Sequence, residues 1–183
     1  MFYKDILMER SDFTNTKIKI LAMDVDGTLT DGKIYMGEHG ELLKVFNAKD
    51  GYAIKDILPE YNILPVIITG RNTVITEKRA VELGISHIYQ GVKDKLSLLK
   101  DILQKKNLTM DNVAFIGDDL NDLDCMKCCG FKGCPADAVP EIKSVVDFIS
   151  NKNGGDGAVR EFIEEIIKCS TYSKKLWNIG EFQ

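Results

Sequence analysis

Two acidic residues directly after a short apolar run are the feature of this sequence best suited to carry chemistry. Asp24 and Asp26 follow the run at residues 18–23, and side chains two positions apart in an extended segment point to the same side. Neighbouring carboxylates repel each other unless a cation or proton lies between them, and Mg²⁺ is the natural cation for such oxygen ligands. One carboxylate could then attack phosphorus to form an aspartyl-phosphate, while the other acts as general acid to the leaving alkoxide.

Three further segments carry polar side chains that fit the same chemistry. Thr69 could offer its hydroxyl and its backbone N–H to phosphoryl oxygens, and Lys95 could offset the negative charge of a nucleophile plus a phosphate. Asp118 could complete the coordination of the metal. We expect Asp119 and Asp122 to assist it, either as ligands through water or by orienting the groups that bind directly.

Short apolar runs alternate along the chain with segments of helical periodicity. Strands are predicted over 18–23, 63–68, 85–89, 113–116 and 145–149, and helices over 51–61, 73–83, 93–106 and 158–167. This alternation is typical of an α/β fold with a Rossmann-like, doubly wound parallel sheet. Since sites in such sheets lie at the carboxyl ends of the strands, the polar groups above should converge on one edge.

One segment departs from the alternation and predicts a β-hairpin flap at residues 33–46. Between Arg71 and Lys95 there is room for one helix, one strand and a turn, so no separate cap domain is expected. The predicted organisation is an N-terminal extension at 1–17, a phosphatase domain at 18–168 and a C-terminal tail at 169–183.

Composition excludes several classes of protein. The 183 residues carry a net charge of −4, and no basic block suggests nucleic-acid binding. No apolar run is long enough to span a membrane, and the N-terminus lacks the apolar stretch of a signal peptide. Five cysteines, clustered late in the chain, are expected to be reduced thiols of a cytoplasmic protein, and those from Cys125 to Cys134 are expected in the core rather than on zinc.

Two glycine- or arginine-containing segments remain open to more than one interpretation. Arg71 and Arg79 are predicted on one helix, Arg71 near its start, where they could bind a carboxylate such as that of a sugar acid. The stretch at 154–157 is expected to be a flexible joint into the last helix, although the helix N-terminus there could also hold an anion.

At this point the motifs resemble a known family. The segments at 24–32, 69–71, 95 and 117–122 are similar to the four motifs of the haloacid dehalogenase superfamily of phosphatases. The hairpin and the stretches at 47–51, 90–95 and 154–161 resemble the 3-deoxy-D-manno-octulosonate 8-phosphate phosphatase family in particular.

The resemblance implies a Mg²⁺-dependent phosphatase of lipopolysaccharide sugar biosynthesis with Asp24 as nucleophile and Asp26 as general acid and base. Mg²⁺ would bind the side chains of Asp24 and Asp118 and the backbone carbonyl of Asp26. The substrate, a phosphorylated sugar acid, would contact Asp26, Asn47, Ala48, Lys49, Asp50, Gly51, Arg71, Arg79 and Lys95. The resemblance also implies a homotetramer in which the hairpin and the tail close the site of a neighbouring subunit.

Three alternatives stay open at the level of sequence. A phosphatase for a nine-carbon sugar-acid 9-phosphate would share the same motifs. A phospho-acceptor receiver also uses paired acids and a lysine, although an acid two residues after the phosphorylated aspartate would shorten the life of its signal. A non-catalytic regulatory domain would be the third possibility.

Overall fold

The computed structural model describes residues 17–179, with side chains for residues 17–169. In this part of the chain, six parallel strands form one sheet in the order β5-β4-β1-β6-β7-β8, and two antiparallel strands form a separate hairpin. The strands are β1 (Ile20–Met23), β2 (Tyr35–Gly37), β3 (Gly40–Leu43), β4 (Leu64–Ile68), β5 (His87–Tyr89), β6 (Val113–Ile116), β7 (Phe131–Cys134) and β8 (Phe148–Ile149).

Within residues 17–179, five helices lie between strands of the sheet, a sixth follows the last strand, and together they cover both faces. They are α1 (Ala48–Tyr52), α2 (Val74–Glu82), α3 (Lys95–Lys106), α4 (Leu123–Cys128), α5 (Pro140–Lys143) and α6 (Ala158–Ile179). Helix α1 continues through a π-helical turn at Ala53–Ile57 into a 3₁₀ turn at Leu58–Tyr61. This path ends at Asn62, which adopts a left-handed conformation (φ 55°) suited to a helix C-terminus.

The two-residue period of β1 explains why the sheet has two apolar faces. All four residues of this strand are fully buried. Leu21 and Met23 pack into a core with the π-helical turn after α1, with α2 and with α6. Ile20 and Ala22 pack into a second core with α3 and α4. The continuous apolar run at this position is what a central strand of a parallel sheet requires.

The doubly wound fold and the absence of a separate cap domain from the described residues agree with the sequence prediction, whereas one strand was missed and another was predicted too long. The sequence predicted a strand at 145–149 and no strand between 117 and 144. Instead, α4 ends at Cys128, β7 occupies Phe131–Cys134, and β8 covers only Phe148–Ile149. Strand β7 escaped prediction because Lys132 and Gly133 interrupt its apolar pattern.

Helix α6 extends beyond the predicted limit at Ile167. It continues to Ile179 because the sequence contains no Gly or Pro between Ala158 and that residue. Most of the predicted tail at 169–183 is therefore a continuation of the last helix, while residues 180–183 and residues 1–16 of the predicted extension lie outside the described part. In the described segments, none of the helices combines the length and apolarity needed to cross a bilayer.

We expect Phe162→Ala to lower the free energy of unfolding by about 3–5 kcal/mol, because its ring is fully buried and leaves a cavity. The ring stacks on Phe131 at a centroid distance of 5.4 Å, so α6 is fastened to β7 through this contact. Urea denaturation measures the change. The exposed Lys168→Ala serves as control on the same helix, with an expected change within about 1 kcal/mol. A loss no larger than that of the control would contradict the packing role.

Candidate active site

The carboxyl end of β1 places Asp24 in the interior of the molecule beside a buried lysine. The backbone N–H of Asp24 donates to the carbonyl oxygen of Ile116 at 3.1 Å, which extends the β1–β6 pairing by one residue. Lys95, the first residue of α3, donates from Nζ to Asp24 Oδ1 at 2.8 Å and to Asp122 Oδ1 at 2.7 Å. All three side chains are buried, so Lys95 links the loops after β1 and β6.

Asp118 approaches Asp24 because the loop after β1 contains a glycine at the point of contact. Gly27 has a left-handed φ of 89°, and a Cβ at this position would overlap the carboxylate of Asp118. Thr28 donates its hydroxyl to Asp118 Oδ1 at 3.0 Å. The Asp-Gly-Thr sequence therefore gives Asp118 both the space and a hydrogen-bond donor.

Asp122 and Asp119, for which the sequence predicted the same role, occupy different environments. Asp122 is fully buried, and its Oδ2 accepts the backbone N–H of Asp118 at 3.2 Å, so it orients that residue as expected. Asp119 is exposed and accepts the N–H of Leu120 at 2.7 Å, as an N-cap does. Its carboxylate does not belong to the acidic cluster of Asp24, Asp118 and Asp122.

The acidic cluster holds more negative charge than its one lysine can balance. Burial raises the pKa of Asp118 to about 7, and the nearby carboxylates of Asp24 and Asp122 add to this effect. Burial also raises the pKa of Asp122 to about 6, against the lowering influence of Lys95. The pKa of Asp24 is raised by burial as well, even though Lys95 opposes the shift.

The same cluster has the properties of a divalent-cation site. One carboxylate oxygen from each of Asp24, Asp118 and Asp122 can be chosen so that all three lie within 4.8 Å of one another. Oxygen donors, burial and uncompensated negative charge are what Mg²⁺ requires, so these residues fit such an ion. Among the residues whose side chains the structure describes, no other group of His, Cys, Asp or Glu meets the same criterion.

Asp26 is not a member of this cluster and lies in a ring of alternating charges. Lys44 Nζ pairs with Asp26 Oδ1 and, at 2.9 Å, with Glu41 Oε1. Arg71 closes the ring, because its guanidinium lies 3.1 Å from Glu41 Oε2 and 3.6 Å from Asp26 Oδ2. Glu41 and Lys44 belong to the hairpin segment and were not identified from the sequence. Lys44 could have been identified because it is a charged residue inside the apolar run at 42–46.

Thr69 and the two arginines take positions that differ in part from those expected. Thr69 is buried at the end of β4, but its backbone N–H donates to Tyr89 at 3.0 Å, which leaves the hydroxyl for other partners. Arg71 precedes α2, which begins at Val74, so the prediction that it shares a helix with Arg79 was wrong. Arg79 pairs with Glu82 at 2.8 Å and lies over the ring of Phe46.

The stretch at 47–51 begins α1 and is partly buried. Asn47 caps the helix by accepting the N–H of Lys49 at 2.8 Å, and Lys49 is exposed. Ala48 is also exposed, whereas Asp50 and Gly51 are buried. The carboxylate of Asp50 accepts the backbone N–H of Arg160 at 2.7 Å, so it is used within the fold rather than displayed at the surface.

The segment at 154–157 is a closely packed loop, so the expectation of a flexible joint was wrong. Gly155 donates its N–H to Thr28 at 3.1 Å and accepts from Asn47 Nδ2 at 3.2 Å. A Cβ on Gly154 would overlap the carbonyl oxygen of Gly27, which explains the glycine. The anion at the N-terminus of α6 is supplied by the chain itself, since Asp50 occupies that position.

The cysteines behave as core or surface thiols. Cys125, Cys129 and Cys134 are buried, Cys128 and Cys169 are exposed, and no disulfide joins any two of them in the described residues. Burial raises the pKa of Cys125 to about 12 and that of Cys134 to about 11, so both remain protonated thiols near neutral pH. The prediction of core thiols is confirmed for the three buried cysteines.

Comparisons with known proteins agree with this geometry. Residues 82–163 match the family model of haloacid dehalogenase-like hydrolases. The 3-deoxy-D-manno-octulosonate 8-phosphate phosphatase of Salmonella typhi is 45% identical over 150 residues, which cover 82% of this chain and 79% of that protein.

Solved structures of the same family share the fold. The phosphatase of Moraxella catarrhalis, crystallised with a magnesium ion, a phosphate ion and a KDO molecule, superposes with a TM-score of 0.81 at 38% identity, covering 95% of this chain and 97% of that one. The enzyme of Yersinia pestis gives a TM-score of 0.79 at 40% identity, with 88% and 85% covered. The chain thus belongs to the 3-deoxy-D-manno-octulosonate 8-phosphate phosphatase family of haloacid dehalogenase-like hydrolases.

Proposed function

We propose that this protein is a Mg²⁺-dependent phosphatase that hydrolyses 3-deoxy-D-manno-octulosonate 8-phosphate to 3-deoxy-D-manno-octulosonate and phosphate, in lipopolysaccharide sugar biosynthesis. The observation that carries the proposal is the buried contact of Lys95 with Asp24 and Asp122 beside Asp118. This arrangement leaves a carboxylate, a cation and a metal site within reach of one phosphoryl group. The family membership supports the substrate.

Asp24 is the proposed nucleophile. Its oxygen attacks phosphorus, the bond from phosphorus to the leaving oxygen breaks, and Asp26 gives its proton to that oxygen. Water then attacks the phosphorus of the aspartyl-phosphate, Asp26 takes a proton from this water, and the Asp24 carboxylate is released with inorganic phosphate. Lys95 and the hydroxyl of Thr69 stabilise the charge on the phosphoryl oxygens.

The side chains of Asp24 and Asp118 and the backbone carbonyl of Asp26 are the proposed ligands of Mg²⁺. The bound ion would neutralise the charge that Lys95 alone leaves uncompensated and would keep the phosphoryl group close to Asp24. Asp122 supports this arrangement through its contacts with Lys95 and the backbone of Asp118.

Recognition of the sugar acid is assigned to groups around the opening of the site. Arg71 is 44% exposed and could exchange its partner Glu41 for a substrate carboxylate. Asn47, Ala48, Lys49, Arg79 and Lys95 are the other proposed contacts, with Asp50 and Gly51 supporting them from below. A nine-carbon sugar-acid 9-phosphate remains the alternative substrate, and the first experiment below separates the two.

The hairpin supports an oligomeric enzyme. Met36 and Leu42 expose 66% and 69% of their surfaces, and neighbouring apolar side chains are also exposed. We propose a homotetramer in which the hairpin, with its exposed Met36 and Leu42, and the C-terminal tail close the site of a neighbouring subunit. The buried thiols Cys125, Cys129 and Cys134 form no disulfide, which suits a reducing compartment, so the cytoplasm is the proposed location.

Asp24→Asn should reduce phosphate release by about 10⁴-fold or more, because the amide cannot serve as nucleophile. The assay uses a panel of phosphorylated eight- and nine-carbon keto acids with Mg²⁺. Asp31→Asn, which changes an acid of the same loop that pairs with Lys33, is the matched control and should retain activity. A fully active Asp24→Asn protein would overturn the mechanism. A preference for nine-carbon substrates would replace the eight-carbon substrate in the proposal. An inactive wild-type protein would favour a regulatory domain.

Mg²⁺ binding should weaken as the pH falls through about 7, because a proton then competes for the Asp118 carboxylate. The dissociation constant is expected to rise about tenfold per pH unit below that value and to level off above it. Calorimetric titrations at a series of pH values measure this dependence. Asp119→Asn should leave the profile unchanged, since that carboxylate lies outside the cluster, whereas a flat profile for the wild-type protein would contradict the assignment.

Leu42→Asp should dissociate the oligomer and lower activity, because a buried carboxylate at an apolar interface has no partner. Sedimentation gives the mass, and phosphate release measured at the same protein concentration gives the activity. Val81→Asp is the matched control, since Val81 on α2 is equally exposed (69%). An active monomer of the wild-type protein at assay concentration would exclude the shared site.

A further inference from the structure

The hairpin exposes the apolar side chains of Met36 and Leu42, and it also contributes a buried lysine to the site of its own chain. The side chain of Lys44 is only 1% exposed, although lysine is rarely buried unless paired. It lies just beyond β3, in a segment where the flanking Leu43 and Val45 are exposed. A buried ammonium group at this point requires acidic partners, and the structure supplies two.

The first partner is the general acid and base of the proposed reaction. Lys44 Nζ pairs with Oδ1 of Asp26, whereas Oδ2 of the same carboxylate is 3.6 Å from Arg71 Nε. Arg71 is the exposed member of the pair of cations, and the side chain of Asp26 is itself 18% exposed. One oxygen of Asp26 is therefore fixed by a buried cation, and the other lies on the side of the more exposed Arg71.

The second partner, Glu41, ties the lysine and the arginine together. Its Oε1 lies 2.9 Å from Lys44, and its Oε2 lies 3.1 Å from Arg71. Burial would raise the pKa of Glu41, but the ion pairs to Lys44 and Arg71 outweigh this effect and hold its pKa below the usual range. Glu41 is thus a stable anion that keeps Lys44 in place.

We propose that Lys44 is a positioning residue that fixes the carboxylate of Asp26 through Oδ1 and leaves Oδ2 as the oxygen that exchanges the proton with the leaving group. The proposal rests on the proposed phosphatase function. It adds a hairpin residue to the groups that carry out proton transfer. Precise orientation matters here because a general acid must lie within hydrogen-bond reach of the oxygen it protonates.

The test compares two substrates that differ in their need for a proton. A sugar-acid phosphate releases an alkoxide that must be protonated, whereas 4-nitrophenyl phosphate releases a phenolate that can leave without a proton. The ratio kcat/KM reports the steps up to departure of the leaving group, so later hydrolysis of the aspartyl-phosphate does not enter it.

Lys44→Met should lower kcat/KM for the sugar-acid phosphate by about 10²-fold and for 4-nitrophenyl phosphate by less than about fivefold. Lys44→Arg should restore part of the loss, because a guanidinium can pair with both acids. In a double-mutant cycle with Asp26→Asn, the two losses should be strongly non-additive, since both act through one carboxylate.

Lys33→Met is the matched control, because Lys33 lies at the base of the hairpin and its exposed side chain pairs with Asp31 instead. It should leave both substrates unaffected. Lys44→Gln serves as a milder variant if Lys44→Met does not fold, as judged by circular dichroism.

Equal losses for the two substrates, or additive effects with Asp26→Asn, would overturn the positioning role and reduce Lys44 to a structural residue. Such a result would leave the proposed function intact, since the wild-type protein would still release phosphate. Failure of the proposed function would instead appear as an inactive wild-type protein or an active Asp24→Asn variant.

Discussion

The ion pairs of Lys95 with Asp24 and Asp122 are the interaction on which the site depends. Three carboxylates gather at the carboxyl edge of the sheet with one buried ammonium group among them. Charges removed from water are costly unless they are paired, so this cluster is stable only because Lys95 offsets part of its charge. The remaining negative charge is what prepares the site for a divalent cation.

Close backbone contacts hold the loop that carries Asp24 and Asp26. The loop packs against the segment at 154–157, which leads directly into α6. Gly27 and Gly154 meet at this contact, and side chains there would force the two segments apart. The buried carboxylate of Asp50 satisfies the backbone of α6 at Arg160. Burial raises the pKa of Asp50 to about 6, even though hydrogen bonds from the backbone N–H groups of Arg160 and Gly157 oppose the shift. One side of the site is therefore built from tightly packed backbone, in which small changes of volume are not tolerated.

The hairpin has two different physical characters. Its charged residues, Glu41 and Lys44, turn toward Asp26 and Arg71 of the same chain, whereas Met36 and Leu42 expose apolar surface. The hairpin thus combines buried ion pairs to other segments of its own chain with an exposed apolar surface.

The amino-acid sequence by itself determined the α/β class, the main strand ends and the side chains whose types could take part in catalysis. It did so because apolar runs and helical periodicity are local properties, and because Asp24, Thr69 and Asp118 lie just after apolar runs while Lys95 lies at the start of a helix. It failed at β7, whose Lys and Gly hide the strand, and at the segment at 154–157, whose glycines serve close contacts rather than flexibility.

Tertiary structure alone decided which groups meet. Asp122 became a buried partner of Lys95 and Asp119 an exposed cap, although the two acids are only three residues apart in sequence. The ring of Asp26, Lys44, Glu41 and Arg71 joins three separate segments, and no local pattern encodes such a contact. The reason is physical: pairing of buried charges depends on distances between elements, and these distances are set by the packing of the whole sheet and its helices.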